Sequence, residues 1–116
     1  RGVRDVRELQ AGTTLPLPGR PRAVATPGHT YGHVALHLPD RDAVLSGDAL
    51  VTLDPYTART GPRIVAGAAT ADFEQNLRTL DAIGETGAGV VLPGHGEPWR
   101  EGAAEAVVQA RAAGTV

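Results

Sequence analysis

The chain has 116 residues, with 11 basic residues against 13 acidic ones and a formal net charge of −2, so its length predicts one small domain. It contains no cysteine and no lysine, which excludes disulfides, thiolate metal sites and lysine Schiff bases. Aromatic residues make up 3% of the chain and the arginines are scattered, which argues against a nucleic-acid-binding surface. No apolar run approaches the ~20 residues that span a bilayer.

The first half of the chain predicts one short helix and two hairpins. Apolar residues at three-residue spacing predict a helix over Val3–Gln10. Prolines exclude a helix in the next stretch, and Thr13–Leu17 with Arg22–Thr26 are predicted to form an edge hairpin around a Pro-Gly turn. His33–Leu38 alternates apolar and polar residues, and a short charged turn leads from it to Ala43–Ser46, which predicts a second hairpin.

The second half predicts a long loop followed by helices around a buried strand. Residues 47–69 carry several glycines and prolines without a sustained period, so we expect a loop there. Thr70 is the expected N-cap of a helix that ends before Gly84. Gly89–Leu92 is expected to be a short buried strand, and Glu101–Ala113 an alanine-rich helix. The expected apolar stripe of the first of these helices consists of Phe73, Leu77, Leu80 and Ile83.

Three predicted strands end on a side chain that can bind a metal ion. Two of them lead into Pro-Gly-His, at His29 and at His95, and a third leads into Ser-Gly-Asp at Asp48. Polar groups that must converge come from loops at strand ends, since strand interiors are committed to packing. Two imidazoles and one carboxylate are suitable ligands for zinc or iron. We therefore expect His29, Asp48 and His95 to form a metal site.

Other chemistry-bearing residues receive weaker roles. His33 follows His29 by four residues, but the glycines and proline around the pair exclude the helix that such a zinc motif needs. His33 is a candidate to support the site by hydrogen bonding. Tyr56 and Arg59 of the long loop are candidates to contact an anionic part of a substrate, and the alternative is that they are solvated loop residues. Phosphate-binding glycine motifs and the GxSxG elbow of serine hydrolases are absent.

The segments Thr26–His33, Ser46–Asp48 and Leu92–Gly96 together resemble the second half of a metallo-beta-lactamase-fold hydrolase, and most closely the small glyoxalase II-like hydrolases. The resemblance runs from about residue 13 to residue 113. It implies an α/β fold over a single domain, residues 1–116, that is half of an αββα sandwich. Such a half has a small mixed or antiparallel sheet with two main helices packed on one face.

The resemblance also implies the metal chemistry. His29 would ligate a first metal ion, His95 a second one, and Asp48 would bridge both as the catalytic carboxylate. The ions, usually zinc, with iron or manganese as alternatives, activate water for hydrolysis. The family's HxHxDH motif belongs to the first half of the fold and does not occur in this sequence. With half of the ligands missing, we expect weak or absent metal binding and an inactive chain when it is alone.

Without its other half, the fold would leave one apolar sheet face uncovered, including Val34, Leu36 and Leu38. Such a face tends to find a partner, and we expect it to bind the missing N-terminal half or a second copy of the chain as a two-fold dimer. The sequence starts at Arg1 and contains no methionine, which is typical of a processed or trimmed piece of a longer protein.

Two functional hypotheses follow. The first is a metal-dependent hydrolase of a small ester, thioester, lactone or similar substrate, located in the cytoplasm because no targeting segment is visible. The second is a non-enzymatic dimerisation or partner-binding module that retains a relic metal site.

Overall fold

The fold is known from a computed structural model, which describes residues 11–66 and 69–114. The predicted helix Val3–Gln10 lies outside the described residues. The strands are β1 (Arg22–Ala25), β2 (Val34–Leu38), β3 (Ala43–Gly47), β4 (Val51–Leu53), β5 (Thr60–Arg63) and β6 (Val90–Pro93). The helices are a 3-10 turn over Pro39–Arg41, α1 (Phe73–Gly84) and α2 (Ala103–Ala113).

Four strands form a mixed sheet in the order β1-β2-β3-β6. The pairs β1-β2 and β2-β3 are antiparallel, and β3-β6 is parallel. Strands β1, β3 and β6 therefore run in the same direction, so their carboxyl ends lie at one edge of the sheet. The start of β2 lies at that same edge. This topology decides which loops can meet.

The core lies between the sheet and the two helices. Ala35, Val44 and Val91 point to this side from three adjacent strands and are fully buried. They pack with Leu80 and Ile83 of α1, which confirms the apolar stripe predicted for that helix, and Phe73 and Leu77 pack against the same cluster. Helix α2 adds Ala103, Ala106, Val107 and Ala110, whose small side chains allow it to approach closely.

The opposite face of the sheet is apolar and only partly covered. Leu36 pairs with Leu45, and Leu45 pairs with Leu92, so the three side chains form a row across three strands. We call it the leucine row. Leu45 and Leu92 are each 37% exposed, whereas Val44 and Val91 on the helical side are inaccessible. Val34, Leu36 and Leu38, which the sequence predicted to be uncovered, are half-buried.

Two predicted elements differ from the structure. In the first hairpin, only the arm Arg22–Ala25 is a strand, and the preceding segment contributes an isolated bridge from Thr14 to Arg22. The predicted loop over residues 47–69 is wrong in part, because β4 and β5 pair as an antiparallel ribbon within it. Gly61 and Pro62 lie inside β5, and these residue types conceal a strand because they seldom occur in strand interiors.

The predicted cap of α1 is also wrong. Asp72, not Thr70, is the N-cap, since its Oδ1 accepts a hydrogen bond of 3.0 Å from the Gln75 amide. The second hairpin is confirmed as β2-β3, the strand near residue 90 as β6, and the last helix as α2, which begins two residues later than predicted. Neither α-helix of the described part is long and apolar enough to cross a membrane.

Candidate metal centre

The three side chains that the sequence singled out lie together. His29 follows β1, Asp48 follows β3 and His95 follows β6, and all three strands end at the same sheet edge. The His29 Nε2 atom lies 3.5 Å from Asp48 Oδ2, and the His95 Nδ1 atom lies 3.0 Å from Asp48 Oδ1. Each oxygen of one carboxylate therefore faces a different imidazole.

These donors fit a metal ion in type but not in number. Zinc bound at ~2.0 to 2.1 Å in a tetrahedral site holds neighbouring ligand atoms about 3.3 Å apart, close to the two separations around Asp48. Within residues 11–66 and 69–114, however, no group of three or more His, Asp or Glu side chains is arranged to hold an ion. Each imidazole shares the carboxylate with the other, so the chain presents two incomplete donor pairs.

The backbone around His29 is fixed by the first turns of α1. The Asp72 amide donates to the Gly28 carbonyl at 2.7 Å, and the Thr79 hydroxyl donates to the Pro27 carbonyl at 2.9 Å. Gly28 has a φ of +142°, and a Cβ there would overlap the backbone of α1. Only glycine allows this loop to lie so close to the helix.

A threonine orients the ring of His29. The Thr70 hydroxyl donates to the Val65 carbonyl at 3.0 Å, so its oxygen accepts from the Nδ1–H of His29 at 3.3 Å. This arrangement leaves the lone pair of Nε2 directed at Asp48, as a metal ligand requires. The sequence identified Thr70 as a helix cap and missed this contact.

Asp48 and His95 are brought together by a second close approach of glycines. The Gly94 amide donates to the Gly47 carbonyl at 2.7 Å, and a Cβ at Gly94 would overlap the Asp48 carboxylate. The His95 carbonyl accepts from the Thr52 amide at 3.1 Å, which ties the loop after β6 to the β4-β5 ribbon. Each Pro-Gly-His segment therefore requires its glycine, because a Cβ at that position would overlap neighbouring atoms.

Asn76 links two of the loops and was not predicted. Its side chain is fully buried, and Nδ2 donates to the Ala49 carbonyl, directly after Asp48, at 2.9 Å. Its backbone is the surface on which Gly28 packs. A polar residue inside the apolar stripe of α1 is the signal that identifies this position in the sequence.

His33 lies near the candidate metal ligands, but its ring is not paired with the Asp48 carboxylate. Its ring is 6.4 Å from that of His29 in an edge-on arrangement. Burial lowers the pKa of His33, the neighbouring His29 lowers it further, and the Asp48 carboxylate opposes both effects. The balance favours a neutral ring.

Tyr56 and Arg59 lie between β4 and β5, and both are exposed. Among the described residues, no hydrogen bond or ion pair joins either of them to His29, Asp48 or His95.

The loop that carries Tyr56 and Arg59 is anchored by Asp54, which the sequence analysis missed. Asp54 is fully buried, and its two oxygens accept from the Tyr56 and Ala66 amides at 2.9 Å each. Burial raises the pKa of Asp54, but these amide donors outweigh it and hold the pKa below its ordinary value.

Comparison with known proteins places the chain in a family. The sequence model of the metallo-beta-lactamase superfamily matches residues 1–95. A hydroxyacylglutathione hydrolase of Brucella anthropi is 53% identical over 53 residues, which are 46% of this chain and 18% of that protein. The protein of the same name from Hyphomonas neptunium is 44% identical over 48 residues, 40% of this chain and 19% of that protein.

Solved structures extend the likeness to most of the fold. A metallo-beta-lactamase family protein of Thermus thermophilus is 31% identical with a TM-score of 0.62, and the match covers 90% of this chain and 35% of that one. A beta-lactamase domain protein of Burkholderia ambifaria is 25% identical with a TM-score of 0.68, covering 95% and 34%. The match thus spans about a fifth of the curated relatives and a third of the structural neighbours.

Proposed function

The chain belongs to the metallo-beta-lactamase superfamily, and from that premise we propose that it is the C-terminal half of a metal-dependent hydrolase. Residues 1–116 form one domain of that protein, with the metal site at the sheet edge described above. The observation that carries the proposal is the Asp48 carboxylate between the imidazoles of His29 and His95.

The three residues have distinct roles in this proposal. His29 presents Nε2 with its lone pair free, because Thr70 holds the proton on Nδ1. Asp48 presents one oxygen to each imidazole and would serve as the shared carboxylate, and His95 would be the donor on the second side. These residues would hold part of the coordination shell of a zinc ion, and such an ion would supply water activation and polarisation of the bond to be cleaved. Iron and manganese accept the same donors.

The remaining ligands come from outside the described residues. The N-terminal half of the family supplies the HxHxDH motif, and we propose that such a half packs its sheet on the leucine row. The comparisons support this, since the structural neighbours have about two thirds of their length beyond the match. Burying Leu36, Leu45 and Leu92 stabilises that association by about 25 cal/mol per Å² of apolar surface. The chain without this half is inactive.

We propose a small ester, thioester or lactone as the substrate. The likeness to hydroxyacylglutathione hydrolases supports the thioester most directly. Tyr56 and Arg59 project from an exposed loop and supply a hydroxyl and a guanidinium for an anionic group of the substrate.

Hydrolysis by the complete protein, meaning this chain together with its N-terminal half, tests the proposal. Zinc-dependent hydrolysis of a thioester is expected in the wild type and is expected to be lost in the double variant His29→Ala, His95→Ala. His37→Ala is the matched control, because His37 lies within β2, away from this sheet edge. Wild-type activity in the double variant would refute the site.

A second candidate function is a non-enzymatic module that binds a partner through the leucine row. The lack of a three-ligand group in the described residues favours it. Metal content separates the two proposals. Near-stoichiometric metal in the complete protein, or in a dimer of the chain, supports the hydrolase, and metal-free protein with an intact partner interface supports the module.

A further inference from the structure

His33 connects the loop before β2 to the loop that carries Asp48. One nitrogen of its ring, Nδ1, lies 2.7 Å from the Thr26 hydroxyl oxygen. The other, Nε2, lies 3.3 Å from the backbone nitrogen of Asp48. Thr26 is fully buried, and its amide donates to the His33 carbonyl at 3.1 Å, so the two residues are joined through both backbone and side chain.

The two contacts determine the tautomer of the ring. A backbone amide can only donate, so Nε2 must carry the lone pair that accepts from Asp48. The proton of a neutral imidazole then lies on Nδ1, where it is donated to the Thr26 hydroxyl oxygen. Because the Nε2 lone pair is used in this way, the ring has no free donor atom for a cation.

We propose that His33 is a positioning residue that holds the backbone of Asp48 by accepting from its amide at Nε2, with the Thr26 hydroxyl oxygen accepting the proton on Nδ1. The purpose of this positioning is to direct the Asp48 carboxylate between His29 and His95, and that purpose rests on the proposed function.

Gly47 gives independent support. A Cβ at Gly47 would lie 2.8 Å from His33 Nε2, closer than van der Waals contact allows, and Gly47 has a φ of +55°. The imidazole therefore occupies the space that a side chain would take, directly before Asp48. The shape of this turn and the position of the ring depend on each other.

The tautomer can be observed without metal or activity. Long-range ¹H–¹⁵N NMR of the complete protein, with histidine labelled, is expected to show His33 protonated on Nδ1 and bare on Nε2. His33→Gln identifies the signal by its disappearance. Thr26→Ser, which keeps the hydroxyl acceptor, is expected to retain this tautomer. A wild-type ring protonated on Nε2 would overturn the proposal.

Two amide substitutions separate positioning from general structure. The Gln carbonyl reaches about as far as Nε2, whereas the Asn carbonyl reaches only about as far as Nδ1. His33→Asn is therefore expected to weaken zinc binding about 10- to 100-fold in a chelator competition and to speed hydrogen exchange of the Asp48 amide. His33→Gln is expected to restore most of both.

Other results would contradict this assignment. Wild-type zinc affinity and wild-type amide exchange in His33→Asn would show that the ring positions nothing. An equal loss of zinc affinity in His33→Asn and His33→Gln would show that the imidazole itself is required, as it would be if His33 were a metal ligand. If the wild-type protein binds no zinc, the proposed function fails, while the tautomer and the exchange of the Asp48 amide still decide the role of His33.

Discussion

Replacing Gly28 by alanine tests how the loop of His29 is held. Gly28 lies against the backbone of α1 at Asn76, with no space for a Cβ and with a φ of +142°. A methyl group there must push the loop away by on the order of 1 Å to reach van der Waals distance. The next loop residue is His29, so the displacement acts directly on the candidate metal centre.

The cost follows from two contributions. A side chain forced into a glycine-only backbone region costs roughly 1 to 3 kcal/mol, and overpacking costs roughly 1 to 3 kcal/mol more. We expect Gly28→Ala to lower the free energy of unfolding by about 3 kcal/mol or more, out of roughly 5 to 15 kcal/mol for a typical domain. A misplacement of about 1 Å also reduces hydrolysis about 100-fold.

Gly32→Ala is the matched control in the same segment. A Cβ at Gly32 meets nothing within 4 Å, and its φ lies outside the positive region. Urea unfolding and zinc affinity of the complete protein are measured for both variants. Gly32→Ala is expected to stay within about 0.5 kcal/mol of wild type. If Gly28→Ala behaves like Gly32→Ala, the contact with α1 does not hold His29 in place.

Three further changes have defined outcomes. Thr70→Val removes the acceptor for His29 Nδ1 and is expected to weaken zinc binding about 10- to 100-fold by chelator competition, whereas Thr70→Ser retains it; equal affinities would contradict this role. Asp54→Asn replaces an acceptor of two amides by a group that also donates, and urea unfolding is expected to show a loss of about 2 kcal/mol. Because the folded pKa of Asp54 lies below its ordinary 3.8, its stabilisation is present above that pH and is lost as the pH falls through the folded pKa; an Asp54→Asn variant with an unchanged acid profile would refute this. Leu45→Glu, on the leucine row, is expected to abolish association with the N-terminal half, measured by size-exclusion chromatography with light scattering. Val108→Glu, at an exposed position of α2, is expected to leave this association intact. The reverse pattern would place the interface elsewhere.

The elements that the sequence predicts well are those whose pattern is set locally. The stripe of Phe73, Leu77, Leu80 and Ile83 repeats at helical spacing; in the structure Leu80 and Ile83 are buried in the core, and Phe73 and Leu77 pack against it. The alternation over His33–Leu38 correctly predicts β2. In both cases the pattern arises because one face of a single helix or strand is buried and the other faces solvent.

Other features depend on tertiary contacts that no local pattern contains. Thr70 and Asp72 are both suitable caps two positions apart, but the Thr70 hydroxyl contacts His29 and the Val65 carbonyl, and Asp72 caps the helix. The ribbon β4-β5 forms although its second strand contains Gly61 and Pro62.

The candidate site was predicted as a set of residue types, but its geometry required the strand order. Pro-Gly-His and Gly-Asp at strand ends indicate the donors His29, Asp48 and His95, and only the order β1-β2-β3-β6 shows that these strands end at one edge. That order also explains why His33, at the start of β2, lies beside Asp48.

Metal content of single variants of the complete protein tests the central claim most directly. Because Asp48 faces both imidazoles, Asp48→Ala is expected to remove zinc from both sides of the site, whereas His29→Ala and His95→Ala each affect one side. Plasma mass spectrometry after dialysis gives the zinc-to-protein ratio, with His37→Ala as the control. A large loss in Asp48→Ala, with partial losses in the two histidine variants, is the predicted result. A wild-type zinc ratio in Asp48→Ala would contradict the assignment of this sheet edge as the metal centre.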